Sequence, residues 1–218
     1  MKICVLSANL GGIDNPVSHV NQTVKADYHT FTDENFPPRI HAMTPRLQAK
    51  IPKMFGWELK PDYDVYLWLD GSIRLAHQES IQYFVDALEG HDMVFLKHPT
   101  KDTVHWEYRY NYRALHSNAP SNYMKSRYDN EWLDEQYKVI EDDPEYLDDV
   151  LLLGGVFMYR NTPLVRAALK EWWHHVSRYL IMDQLSLPYV LKKGGVVFNA
   201  LDDDINDSMW LEYRRHAQ

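Results

Sequence analysis

The segment Asp64-Val-Tyr-Leu-Trp-Leu-Asp70-Gly71-Ser72-Ile73 carries an aspartate at the tip of an apolar run, with a glycine directly behind it. A hydrophobic strand would deliver the Asp70 carboxylate to its carboxyl end, and Gly71 would let the backbone turn away sharply. Hard divalent cations such as Mg²⁺ and Mn²⁺ take oxygen ligands, often one or two carboxylates plus diphosphate oxygens, so Asp70 is a candidate metal ligand. An Asp-Gly pair is just as readily a plain turn. Upstream, Arg46 and Lys50 stand four residues apart and share one face of a helix. Two cations so placed suit a diphosphate, the guanidinium as a fork and the ammonium as a point charge. An isolated pair of this kind is more often a solvated basic face.

Four further segments hold residues of chemical interest. The first apolar run ends in the loop Ser7 to Gly12, whose glycines permit close backbone approach to a ligand. His98-Pro99, followed by Lys101, Asp102 and Glu107, lies after another strand end; His98 could hold a phosphate or metal, and Asp102 or Glu107 could reach an acceptor. Asp183-Gln184 opens a helix, where an acidic residue is also favoured by the helix dipole. Gly154-Gly155 interrupts an apolar run and reads equally as a bulge. There is no Gly-x-Gly-x-x-Gly fingerprint and no Gly-Lys-Ser phosphate loop, which removes support from hydride transfer and P-loop chemistry.

These residues need a scaffold that gathers them. Strands are predicted over Lys2 to Ala8, Tyr28 to Thr32, Tyr63 to Leu69, Asp92 to Leu96, Val150 to Tyr159 and Val196 to Asn199. Helices are predicted from Thr44-Pro45, over Gln78 to Leu88 (Ile81, Phe84, Val85 and Leu88 on one face), from Thr162-Pro163 (Val165, Leu169, Trp172 and Val176) and over Asp183 to Lys192. Residues 104 to 142 are polar, aromatic and mostly helical or irregular. Alternating strands and helices predict an α/β fold with a mostly parallel sheet, helices on both faces, and ligands outside the carboxyl ends of the strands. A single domain over residues 1–218 is expected at this length.

Four segments in order carry a family resemblance: Lys50-Ile-Pro-Lys53, Tyr66-Leu-Trp-Leu-Asp70-Gly71-Ser72-Ile73, Lys97-His98-Pro99 and Asp183-Gln184. From the first strand to about Lys193 the chain resembles the glycosyltransferase-like family once catalogued as domain of unknown function 616, and more distantly glycosyltransferase family eight. The resemblance implies a GT-A type fold, a nucleotide-sugar donor, a hydroxyl acceptor of unknown kind (glycan, lipid, protein or modified nucleic acid) and a Mn²⁺ or Mg²⁺ requirement. It implies that Asp70 stands at the first position of an Asp-x-Asp metal motif, with Gly71 and Ser72 beside it at the donor. Ser72 occupies the third position, where a carboxylate would bind metal better, so a second anchor is needed: Asp202, Asp203, Asp204, His98 or His216. The same resemblance implies that the loop of Ser7 and Asn9 holds base and ribose, that Arg46 and Lys50 face the diphosphate, and that Leu153-Gly154-Gly155-Val156 lines the sugar and acceptor pocket. Asp183 and Gln184 would contact the donor sugar, Asp183 as proton acceptor in an inverting enzyme or as an orienting charge in a retaining one.

Bulk properties narrow the field. The net charge of −8, from 31 acidic and 23 basic residues, opposes an extended nucleic-acid footprint. Cys4 stands alone, so no intramolecular disulfide forms. The opening MKICVLSANLGG is too short and lightly flanked for a signal peptide, and no run approaches the roughly 18 apolar residues of a membrane span. A cytoplasmic location is expected. The rivals are a nucleotidyl- or phosphotransferase on a similar sheet and a non-catalytic nucleotide- or carbohydrate-binding domain, the latter motivated by Ser72.

Overall fold

Apolar runs with almost no alternation demand strands that are covered on both faces, and the computed structural model shows that arrangement. It describes residues 1–37, 39, 41–117, 123–129 and 131–214. In chain order these form β1 (Ile3–Asn9), β2 (Asp27–Thr32), α1 (Pro45–Leu59), β3 (Val65–Asp70), β4 (Ile73–Leu75), α2 (Ser80–Ala87), β5 (Met93–Lys97), α3 (Val104–Leu115), α4 (Tyr123–Tyr128) and α5 (Leu133–Glu141). There follow β6 (Leu152–Arg160), α6 (Pro163–Arg178), α7 (Leu187–Lys193), β7 (Phe198–Leu201) and β8 (Leu211–Tyr213).

Six strands make one sheet in the order β2-β1-β3-β6-β5-β7. β1 pairs parallel with β2 and β3, and β5 with β7, while β6 runs antiparallel to both of its neighbours. The sheet is therefore mostly parallel, with one reversed strand at its middle. Strand alternation splits the core in two. Cys4, Leu6, Tyr66, Trp68, Phe95, Phe157 and Tyr159 face the helical layer that contains Met54, Val165, Leu169 and Trp172. Val5, Leu67, Leu69, Val94, Val156 and Met158 face Ile81 and Phe84 of α2 and Leu88 at its C-terminal end. Beneath this second face, β4 and β8 form a separate two-stranded ribbon, closed by an Arg74–Glu212 ion pair.

α1 lies directly on β1. A Cβ placed on Gly56 would stand 2.1 Å from Leu6 Cδ1, and Leu6 is fully buried. Gly56→Ala is expected to lower stability by about 1–2 kcal/mol through overpacking, despite alanine's better helix propensity. A shift of the urea midpoint at unchanged slope checks this.

α6 carries a buried imidazole. Burial, then neighbouring His174, lowers the His175 pKa from 6.5 to about 4. The folded state thus resists a proton that the unfolded chain accepts, so stability is full above about pH 6.5 and falls as the pH drops toward 4. Between pH 7.5 and 5 the loss should be about 2 kcal/mol from this residue. Denaturant unfolding of wild type and His175→Phe at both pH values checks it: the variant should lose distinctly less.

Asp183 to Lys192, expected as one helix, is a single 3-10 turn at Asp183–Leu185 followed by α7, with Pro188 in the first turn of α7. Among the described residues no helix is long and apolar enough to cross a membrane.

Candidate functional site

The carboxyl ends of β1 and β3 meet the amino end of reversed β6 along one edge of the sheet, where Leu69 is in register with Val156 and Ala8 with Asp70. α1 leans over the same edge. Its first turn is capped by the Thr44 side-chain hydroxyl, which accepts from Leu47 N at 3.2 Å, and Pro45 opens it. Between them lies an open cavity of about 450 Å³ lined by α1, the ends of β1 and β3, Gly155, the Asp183 turn and α3. That volume is within the usual range for small-molecule sites.

The floor of the cavity is an ionic cluster. Lys53, 1% exposed, places its Nζ 2.5 Å from Asp183 Oδ2 and 3.2 Å from Asp70 Oδ1. Lys50 Nζ also reaches Asp183 Oδ2, at 2.5 Å. The Lys53 ammonium stands 5.8 Å from the Trp68 ring centroid and 5.6 Å from that of Trp172, two indoles that further favour its charge. Trp68 Nε1 donates to Asp70 Oδ1 at 2.7 Å, and Trp172 Nε1 donates to the Asp183 carbonyl at 2.8 Å. The core indoles beneath thus hold the Asp70 carboxylate and the Asp183 backbone.

The protonation states follow. Burial alone would raise the Asp183 carboxyl, but the Lys50 and Lys53 ammoniums outweigh it and hold the group well below the usual carboxylate range. Lys53 is raised: burial opposes its charge, and the two carboxylates overcome it. Lys50 is lowered, because burial and the neighbouring Lys53 exceed its share of Asp183. One carboxylate cannot fully serve two ammoniums, and only Lys53 has a second.

The paired glycines of β6 make room for these carboxylates. A Cβ on Gly154 would come within 3.0 Å of Asp183 Oδ1, and one on Gly155 within 3.3 Å of Asp70 Oδ2. Gly71 is equally tight, 2.9 Å from both the Ala8 carbonyl and Asp14 Oδ2. Above the floor, buried Glu107 of α3 pairs with Lys101 and accepts from Gln184 Nε2 at 2.8 Å, which ties α3 to the Asp183 turn.

The residues singled out in sequence fall into two groups. Asn9, Arg46, Lys50, Asp70, Gly71, Ser72, Gly155, Asp183 and Gln184 line the cavity, and Gly154 backs it against Asp183. Asn9 spends its side chain on the loop, donating to the Asp14 carbonyl at 2.6 Å and accepting from Asp14 N at 3.2 Å. Arg46 is half-buried at the mouth, its guanidinium pKa lowered by burial and by nearby Arg127. Ser7 is buried within β1, away from the cavity. His98 lines a separate depression, where its Nδ1 accepts from Thr100 N and Lys101 N and so caps the turn after β5. Sequence reasoning gave no role to Lys53 or to the indole of Trp68. The signal was present: Arg46, Lys50 and Lys53 stand at i, i+4 and i+7 on α1, but a proline at 52 obscured the helical period.

One oxygen of Asp70 is already engaged where the resemblance implies a divalent ion. Asp70 Oδ1 already accepts from Trp68 Nε1 and Lys53 Nζ, and an ammonium so close repels a second cation on that carboxylate. Asp202, Asp203 and Asp204 line the His98 depression and are engaged by Lys97, Ser208 and Asn206 respectively. His216 lies outside the described residues. Among the described residues no three His, Cys, Asp or Glu side chains form a group that could hold an ion. Lys53 sets a fixed positive charge between the two carboxylates.

No protein-family model matches the chain, and no curated protein matches it in sequence. Solved structures with a similar course of chain include A197 from STIV (14% identity, TM-score 0.41, 93% of this chain and 82% of that one). A second is mouse xyloside xylosyltransferase 1 in its apo form (13%, 0.42, 82% and 63%). A third is the bifunctional glycosyltransferase WbbM (11%, 0.49, 92% and 38%). The chain thus spans under two thirds of the xylosyltransferase and WbbM chains. With these three TM-scores below 0.5, the functional reading rests on the site itself.

Proposed function

We propose that this chain transfers a glycosyl group from a nucleoside-diphosphate sugar to a hydroxyl acceptor. The observation that carries the reading is the Lys50–Asp183–Lys53–Asp70 cluster on the floor of an open cavity, with Arg46 above it at the amino end of α1. A transferred sugar needs two things from its site: positive charge where the diphosphate departs, and oxygen acceptors where the ring hydroxyls lie. Arg46, Lys50 and the α1 N-terminus supply the first, since helix termini and cations both favour phosphate. Asp183, Asp70 and the side-chain-free backbone at Gly155 supply the second.

The electrostatics narrow the part Asp183 plays. A carboxylate held far below neutrality is a poor proton acceptor, because general-base efficiency peaks when the pKa lies near the working pH. Asp183 therefore acts as a fixed negative charge that orients the sugar and stabilises positive charge developing at the anomeric carbon. Lys50, loosened by burial and by Lys53, is the ammonium free to turn toward a phosphate, because Asp183 keeps Lys53 when Lys50 leaves.

The presence of Lys53 against Asp70, with Ser72 two positions on, also favours a second reading: a domain that binds nucleotide sugars without turning them over. Thermal unfolding against a panel of nucleotides and nucleotide sugars, in EDTA and in Mn²⁺, tests the donor site common to both readings. A ligand at a hundredfold excess over its dissociation constant stabilises the fold by about 2.7 kcal/mol. One nucleoside-diphosphate class should raise the melting temperature in EDTA. No shift with any member would sink both readings.

A further inference from the structure

We propose that the outward face of α3 is the acceptor subsite and that it takes an anionic saccharide, a proposal that rests on the glycosyl-transfer reading. Trp106, Arg109, Tyr110 and Arg113 succeed one another at helical spacing along α3 and line one surface depression. Trp106 is 49% and Tyr110 53% exposed, two large rings side by side in water. Arg109 and Arg113 are exposed, and among the described residues neither guanidinium has an ion pair or hydrogen bond. A chain with a net charge of −8 has carboxylates in excess with which to neutralise them. Two guanidiniums left unpaired beside two open rings form a local cationic and aromatic strip.

The strip is continuous with the site. Tyr110 lines both this depression and the central cavity, and Lys101 Nζ stands 4.1 Å from its ring centroid. On the inner side of the same helix, Glu107 accepts from Gln184, the neighbour of Asp183. A saccharide lying along α3 therefore leads its end over Tyr110 toward the Asp183 floor. The chemistry matches: sugar rings stack their C–H faces on exposed indole and phenol, while guanidinium forks pair with carboxylate or sulfate groups. Aromatic rings interleaved with arginine also stack nucleic-acid bases, which makes oligo(dT) the competing probe.

The test is titration by tryptophan fluorescence and calorimetry with oligogalacturonate and a heparin-derived oligosaccharide. Uncharged malto-oligosaccharide and oligo(dT) run in parallel, at low and high salt. At least one anionic saccharide should bind, more weakly at high salt. Trp106→Ala and Arg109→Gln/Arg113→Gln should each weaken it about tenfold, a typical cost for a contact central to an interface. Nucleoside-diphosphate thermal shifts of these surface variants should match wild type, which shows that the fold and donor site are intact. Failure of both anionic probes to bind a wild-type chain that does respond to nucleotide overturns the proposal. So does binding that is indifferent to the substitutions, or tighter binding of oligo(dT). Saccharide binding that depends on the strip, in a chain that responds to no nucleotide, supports the surface and removes the glycosyl-transfer reading instead.

Discussion

Asp183→Ala is expected to cost the fold about 3–5 kcal/mol and to abolish turnover, because it leaves two buried ammoniums facing each other, only one of them in contact with a carboxylate. Lys50 and Lys53 both reach Asp183 Oδ2 at 2.5 Å, and after truncation only the 3.2 Å contact of Lys53 with Asp70 remains. The desolvation of Lys50 then stands uncompensated. Urea unfolding at pH 7 measures the cost; a loss under about 1 kcal/mol would mean that the cluster is solvated and contributes as little as a surface pair. The sign of the pH dependence gives an independent check. Asp183 is held below the carboxylate range by two cations, so its contribution is complete above about pH 4 and fades as the pH falls further. That window lies below the one assigned to His175, whose contribution is lost between 6.5 and about 4. Wild type should therefore weaken in two stages on acidification, the first absent from His175→Phe and the second from Asp183→Ala.

Arg46→Ala is expected to weaken nucleoside-diphosphate binding roughly 10- to 100-fold, the worth of charge-assisted hydrogen bonds lost from a partly desolvated site. Arg46 is half-buried at the cavity mouth, and no carboxylate competes for it among the contacts of the described residues. Its removal should leave the urea midpoint nearly unchanged, since burial and Arg127 already oppose its charge. The same titration in EDTA should give the wild-type affinity without loss, because Lys53 occupies the position between Asp70 and Asp183. A dissociation constant that rises strongly in EDTA, or an Arg46→Ala protein that binds as well as wild type, would contradict the placement of the diphosphate.

The main strands and most helices were legible in sequence because their apolar periods are long and cleanly bounded. Lys2 to Ala8 and Tyr63 to Leu69 read as buried strands and form β1 and β3; Ile81, Phe84 and Leu88 read as a helix face and pack together on the sheet. The direction of β6 was not legible. A buried strand has the same composition in either sense, and after α3, α4 and α5 the chain re-enters the sheet at the edge where β5 ended, with Leu152 in register with Lys97. β4 and β8, three residues each, are too short for any period to register. At the site, Asp70 stood out because a carboxylate followed a clear strand, and Asp183 because it began a helix-like segment. The bond between them did not stand out, since it passes through Lys53, distant from both in sequence and hidden behind Pro52. His98 attracted attention as a strand-end histidine, yet its ring spends an acceptor on backbone amides. Residue type and spacing propose a ligand; only the fold shows whether the ligand atoms are already spent.

The decisive measurement is ³¹P NMR of the nucleotide sugars that pass the thermal screen, incubated with the protein in EDTA alongside oligogalacturonate. Glycosyl transfer breaks the bond between the anomeric carbon and the diphosphate, so the expected spectrum shows intact nucleoside diphosphate accumulating, and none with Asp183→Ala. Release of pyrophosphate, or of nucleoside monophosphate with a sugar phosphate, would place the cleavage at phosphorus and contradict the assignment. A donor that binds and is never consumed with any acceptor offered would leave the cavity as a binding site without turnover.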